Sequence, residues 1–167
     1  MTHILFVCSA NRFRSVIAAG CLKKLIHSHK IPGEWNIDSA GIWAREGAPP
    51  LREAIEFGDK MGLDLGSFRS REITTAIVES ADLIIVITQG QKEAINNEFI
   101  GSSEKLALLS EICTGQYYDI PDPVVSTDED SDLIAKEICD LLKKGLPKIL
   151  TRAGVTHTDY SLRQQPV

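Results

Sequence analysis

Long apolar runs are missing from this sequence. None approaches the ~18 residues of a membrane span. The run Ile4-Leu5-Phe6-Val7 near the start is short and has no charged segment ahead of it, so it does not read as a signal peptide. Positive charge is also scarce. The 18 Lys and Arg stand against 23 Asp and Glu, a formal net charge of −5, which argues against general electrostatic binding to nucleic acid. Any basic pocket for an anion must therefore be built locally. The four cysteines, Cys8, Cys21, Cys113 and Cys139, form no C-x-x-C pair, so zinc and thioredoxin-like readings are weak. His3, His27, His29 and His157 show no ligand spacing and no triad context. Repeats and a second domain are absent. These absences point to a cytoplasmic protein with no membrane or nucleic-acid partner, whose cysteines stay as thiols in a reducing compartment.

What is present is an alternation of strands and helices. His3 to Cys8 reads as a buried strand, and Ser15 to His29 carries apolar residues at helical spacing up to the stop at Pro32-Gly33. Trp35 to Ser39 reads as a second strand. Helices follow at Leu51 to Met61 and Ile73 to Ser80. Asp82 to Ile87 is an unbroken apolar run of the kind covered on both faces. A helix at Gln91 to Phe99, a fourth strand at Lys105 to Leu109 and a last helix at Ser131 to Lys144 complete the series. The acids Asp128, Glu129 and Asp130 precede that helix, and Lys143 and Lys144 close it, in the order that suits the helix dipole. The alternation implies an α/β domain: one open four-stranded parallel sheet with helices on both faces, in a flavodoxin-like topology. It occupies residues 1–150, and residues 151–167 read as a polar C-terminal tail.

The chemistry is carried where the first strand meets the first helix, in Cys8-Ser9-Ala10-Asn11-Arg12-Phe13-Arg14-Ser15. Ligands of open parallel sheets bind beyond the carboxyl ends of the strands. A loop wrapping into a helix N-terminus turns its N–H groups toward its centre, where they and the helix dipole hold a tetrahedral anion. Arg14 adds a bidentate grip on two phosphate oxygens. The same field favours a thiolate at Cys8, a nucleophile positioned under a bound phosphate. Ser15 can donate a hydrogen bond to the sulfur and help it leave in the second step. The alternative is a Cys8 that merely ends a strand as a small buried hydrophobe.

A thiolate displacing an alkoxide or phenoxide needs an acid for the leaving oxygen. Asp119-Ile120-Pro121-Asp122-Pro123 places two carboxylates on a loop after the fourth strand, at the same end of the sheet. Prolines on both sides stiffen Asp122, which makes it the candidate acid. Standing alone, Asp-Pro is an ordinary turn.

With these residues in view, the sequence resembles the low-molecular-weight protein tyrosine phosphatase family from Ile4 to about Leu142. The resemblance rests on Val7-Cys8, Arg14-Ser15, Asp38-Ser39-Ala40-Gly41 and Asp122-Pro123, in that order and spacing. It implies phosphomonoester hydrolysis through a cysteinyl-phosphate intermediate, with Asp122 as acid and then as base for water. No metal or other cofactor is implied. Asn11 matches a position that ties the loop's backbone, and Ser39 one that supports it. The implied partners are a phosphorylated protein or a small phosphate ester, with phosphate and vanadate as inhibitors.

Several positions depart from the family pattern. Ala10 stands where Gly is usual, Arg12 where a small or aliphatic residue is, and Phe13 where a second cysteine is. Phe68 replaces a loop-supporting His, Thr88 lies near a usual acid, and Val124-Val125 replace an aromatic of the substrate cleft. Trp43 either walls the cleft or is a partly buried core residue, and Phe13 offers a second wall. Arg12 either brings a second positive charge to the rim, favouring acidic or polyphosphorylated substrates, or is a solvated side chain. Tyr117 and Tyr118 are either modification sites or packing. Two rivals share the fold. An arsenate reductase needs relay cysteines after the third strand, and Thr88 to Phe99 has none. A non-catalytic phosphate- or phosphoprotein-binding module typically loses the cradle pair or the acid, which this chain keeps.

Overall fold

The computed structural model describes residues 1–123 and 128–156, with Asp128 and Glu129 described by their backbone alone. Four parallel strands form one sheet: β1 (Thr2–Cys8), β2 (Trp35–Gly41), β3 (Leu83–Val86) and β4 (Leu106–Leu108), in the order β2-β1-β3-β4. Strand β1 is central. Phe6 pairs with Ser39 on one side and with Ile85 on the other. The chain reverses its direction of build across the β1–β3 boundary, and open α/β sheets bind ligands beside such a boundary.

The helices are α1 (Arg14–Ser28), α2 (Arg52–Met61), α3 (Thr75–Ser80), α4 (Gln89–Glu98), α5 (Leu109–Thr114) and α6 (Asp128–Arg152). Side chains of a strand alternate between faces, and β1 feeds two cores accordingly. Ile4, Phe6 and Cys8 join Leu83 and Ile85 against α1, α2, α5 and α6. Leu5 and Val7 join Ile84 and Val86 against α3 and α4. All four β3 residues are fully buried, each contributing about 1.5–3 kcal/mol of apolar burial before entropy is counted.

The elements differ from the sequence reading mainly in length. β2 runs on to Gly41, because pairing with β1 continues to Cys8. β4 stops at Leu108, and Leu109 opens the short helix α5, where a continuing strand was expected. α6 is longer at both ends and passes through Pro147. Its buried stripe of Leu142, Leu146, Ile149 and Leu150 continues on both sides of that proline, so packing overrides the local preference to stop. Thr151 and Arg152, the start of the expected tail, are the last residues of α6. Val155 then folds back, its N–H donating to the Leu150 carbonyl. His157 and the rest of that tail lie outside the described residues, as do Val124 and Val125. Among the described residues, no helix is long and apolar enough to cross a membrane.

The cysteines bring a correction. Cys21 on α1 and Cys139 on α6 are joined by a disulfide, with Cα atoms 5.7 Å apart, leaving Cys8 and Cys113 as free thiols. The sequence reading had all four as thiols. It could not see that α1 and α6 pack together and bring these two positions face to face.

Candidate active site

The loop from Cys8 to Arg14 wraps beneath the open end of α1. That helix has no side-chain cap, its N-cap residue is Phe13, and its first turn holds no acid. Its leading N–H groups are therefore left for the loop's centre. The tight wrap is set at Asn11, a non-glycine residue at φ 58°, which Asn tolerates better than most. The Asn11 amide fixes this conformation from inside. Its Nδ2 donates to Ser15 Oγ at 2.9 Å and to Ser39 Oγ at 2.8 Å, and its Oδ1 accepts the Arg71 N–H at 3.0 Å. Cys8 Sγ lies 3.0 Å from Ser15 Oγ. With Asn11 donating to Ser15, the Ser15 hydroxyl hydrogen is available to a thiolate at Cys8.

Ala10 is exposed and outside the left-handed region, so it fits where Gly is usual without backbone strain. Gly41 is the glycine the loop needs. A methyl there would sit 2.5 Å from the Ser9 carbonyl oxygen, so the end of β2 can approach the cradle only without a side chain.

A second ring of contacts holds the cradle from outside, and its main members, Arg71 and Gln91, were not read from the sequence. Arg71 Nη2 donates to Asp38 Oδ2 at 2.6 Å and its Nε to the Ser39 carbonyl at 3.1 Å. Gln91 is 5% exposed; its Oε1 accepts the Ile87 and Thr88 N–H groups at 3.0 Å, and its Nε2 donates to Ser9 Oγ at 3.2 Å. Thr88, where an acid was noted as common, is the N-cap of α4 and forms a capping box with Gln91. Phe68, in place of a loop-supporting His, is buried and carries Lys23 Nζ 4.5 Å from its ring centre.

Arg14 connects the cradle to the loop after α5. Its Nη1 donates to the Ile120 carbonyl at 2.9 Å, and its Nη2 pairs with Asp122 Oδ2 at 3.2 Å. The guanidinium is 6% exposed and the carboxylate 40%, so this pair spans the boundary between core and solvent. Asp119 faces elsewhere: its Oδ1 accepts the Gln89 N–H at the start of α4, at 2.8 Å. The two carboxylates of this loop are thereby separated, one beside the cradle and one at a helix end.

At the rim, Trp43 is 78% exposed while its backbone N–H donates to the Ser9 carbonyl at 3.0 Å. The core reading of Trp43 is therefore excluded, and its ring stands free beside the cradle. Phe13 is 4% exposed and belongs to the core cluster under α1, so it offers no wall. Tyr118 packs against that core, whereas Tyr117 is exposed and its hydroxyl donates to Glu111. Burial pushes the Cys113 thiol up to about 12.

A parallel α/β sheet carrying a Cys-x5-Arg-Ser cradle at its carboxyl end, with an Asp paired to the cradle arginine, is the layout of a cysteine-dependent phosphatase. The family model described as low molecular weight phosphotyrosine protein phosphatase matches residues 3–158, and the chain belongs to that family. It is similar to a probable low molecular weight protein-tyrosine-phosphatase, EpsP, of Ralstonia nicotianae, 32% identical over 120 residues, covering 72% of this chain and 77% of the relative. It is also similar to a protein-arginine-phosphatase of Bacillus subtilis, 30% identical over 120 residues, covering 72% and 78%. Among solved structures, a Cys-to-Ser mutant of the arginine phosphatase YwlE with a phosphorylated active-site serine superposes with a TM-score of 0.82. It is 27% identical, and the match covers 90% of this chain and 96% of that one.

Proposed function

We propose that this phosphatase dephosphorylates protein side chains through a covalent phosphocysteine, with phosphotyrosine as the preferred substrate. Cys8 attacks phosphorus and the leaving oxygen departs with a proton from Asp122. Water, deprotonated by the Asp122 carboxylate, then releases phosphate and returns the Cys8 thiolate. Ser9, Ala10, Asn11, Arg12 and Phe13 supply the backbone of the cradle, and Ser15 supplies the hydrogen bond that stabilises the departing sulfur. Arg14 uses two N–H donors on the acid loop and keeps the others for the phosphate oxygens.

The observation that carries this reading is the convergence of Cys8, Ser15, Arg14 and Asp122 at the uncapped end of one helix. The relative with a phosphorylated active-site serine supports the covalent step. Arsenate reduction finds no support. Cys113 is buried with its thiol pushed up to about 12, and Cys21 and Cys139 are paired with each other. A binding module has no need of the Arg14–Asp122 pair.

The arginine phosphatases among the relatives motivate a second reading, a phosphorylated guanidinium as substrate. The flat ring of Trp43 would stack on either leaving group. Arg12 on the cradle repels a guanidinium and not a phenol, which favours tyrosine. We place the enzyme in the cytoplasm for its thiol nucleophile, which reductants maintain there, and against the usual rarity in that compartment of a disulfide such as Cys21–Cys139.

The test is a pre-steady-state burst with an aryl phosphate, followed by peptides carrying phosphotyrosine, phosphoserine or phosphoarginine. A burst of about one equivalent, competitive inhibition by phosphate and vanadate, and phosphotyrosine turned over fastest are the expected results. Linear release with no burst would remove the covalent intermediate, and fastest turnover of phosphoarginine would establish the second reading.

A further inference from the structure

Beside the cradle lies a cleft of about 400 Å³ lined by Arg12, Arg45, Glu46, Gly47, Ala48 and Pro49. Arg12 comes from the cradle itself, and Arg45 from the loop that follows Trp43. We propose that this cleft binds a carboxylate side chain flanking the phosphorylated residue of a protein substrate, so that the enzyme prefers acidic phosphopeptides. The inference rests on the phosphatase reading and adds to it the sequence context of the substrate.

Three observations carry it. First, the cleft holds an excess of positive charge in a chain whose formal net charge is −5. Among the described residues, no carboxylate lies within ion-pairing distance of Arg12 or Arg45. Glu46 shares the cleft, but its Oε1 is engaged by the Glu72 N–H at 2.8 Å. Two cations against one such carboxylate leave room for one more anion.

Second, the walls are fixed before any ligand arrives. Arg12 Nε donates to the Pro49 carbonyl at 2.8 Å, and the Leu51 N–H donates to the Arg12 carbonyl at 2.9 Å. Ser70 is 2% exposed and laces the far wall. Its hydroxyl donates to the Arg45 carbonyl and accepts the Ala48 N–H at 2.9 Å, while its carbonyl accepts the Gly47 N–H at 2.8 Å. A preformed wall loses little entropy on binding.

Third, position decides which anion. Arg12 lies within the loop that would hold the phosphate, so a substrate whose phosphate fills that loop brings its neighbouring side chains to the space between Arg12 and Arg45. An adjacent Asp or Glu is such a side chain. Guanidinium groups suit it, since their forks match the planar carboxylate.

The experiment uses one phosphotyrosine peptide sequence with Glu, Ala or Lys beside the phosphorylated residue, and an aryl phosphate as a substrate with no flank. The native enzyme should favour the Glu peptide over the Lys peptide by about tenfold in kcat/KM at low salt, with the ratio shrinking as salt screens the charges. Arg45→Glu should abolish or reverse that ratio, and Arg45→Lys should retain most of it. Equal efficiency on the three peptides, or an Arg45→Glu effect identical for all peptides and the aryl phosphate, would overturn the proposal. Failure to turn over the aryl phosphate would instead overturn the phosphatase reading. Peptide binding to a Cys8→Ala variant would then still decide the cleft's preference: Glu tighter than Lys supports it, and no difference refutes it.

Discussion

Cys8 and Cys113 are both buried free thiols, 3% and 1% exposed, and both belong to the same core cluster. Their surroundings differ in what points at the sulfur. Cys8 ends a strand below an uncapped helix and touches the Ser15 hydroxyl. Cys113 lies within a short helix and packs against Gly145 of α6 so closely that a methyl on Gly145 would not fit. One sulfur meets dipoles and hydrogen-bonding groups; for the other, burial outweighs the one nearby charge that would favour a thiolate, Lys148. Burial by itself thus says little about a cysteine. A dry site aimed at by N–H groups can hold a negative charge, and a dry site without them forbids one.

The sharpest way to break this contrast is to make the same change at both positions. Cys8→Ser should abolish turnover while phosphate and vanadate still bind, because the loop and Arg14 survive. Activity within about tenfold of native would remove Cys8 from the reaction. Cys113→Ser should leave kcat unchanged and lower stability by about 1–3 kcal/mol, as a buried hydroxyl lacks a partner there. Chemical denaturation of both variants checks the second half.

A smaller effect is expected at the acid loop. Asp122→Asn should slow turnover of a poor leaving group by ~10²–10⁴-fold, and by much less when the leaving group departs without a proton. Asp119→Asn should barely alter kinetics, since that carboxylate caps α4, and should cost about 1 kcal/mol of stability or less. A leaving-group series on both variants decides between them. A steep dependence in Asp119→Asn alone would transfer the role of acid.

The smallest effect is read by labelling and by pH. Iodoacetate should modify Cys8 first, with phosphate protecting it, and leave Cys113 untouched. The Cys113 thiol is raised by burial from 9.0 to about 12. Between those values the unfolded chain gives up a proton that the fold retains, so the native state weakens as pH rises. The stability margin of the native protein over Cys113→Ser should be flat below pH 9 and narrow toward pH 12. A margin that widens over that range would show that the fold stabilises the thiolate.

How much of this could be read in advance depended on sequence distance. β3 was legible because a strand covered on both faces leaves an unbroken apolar run, Leu83 to Val86. The cradle was legible as a pattern because Cys8 to Ser15 is contiguous. α5 was not, since Leu109 to Thr114 is too short to show a period and begins in apolar residues that continue the strand. The end of α6 was read too early, at Lys143 and Lys144, whose charges suit a helix end, whereas burial carries the helix on through Pro147 to Arg152. The supports of the cradle were hidden for a different reason. Arg71 reaches Asn11 across 60 residues, and Gln91 reaches Ser9 across 82. Nothing near either residue signals such a contact. Trp43 had two readings that only a folded chain could separate, and the Cys21–Cys139 pairing needed the packing of α1 on α6.

The central place of β1 has a consequence for the order of events on the ribosome. The first strand to be made is flanked by partners that are made later, β2 and then β3. Arg14 finds its carbonyl partner Ile120 across 106 residues. At typical synthesis speeds that interval takes roughly 5–20 s. Cys8 therefore leaves the ribosome long before the Arg14–Asp122 pair can form. A nascent chain carries the sulfur without the rest of the machine, and the machine is assembled only when translation of the domain is nearly finished.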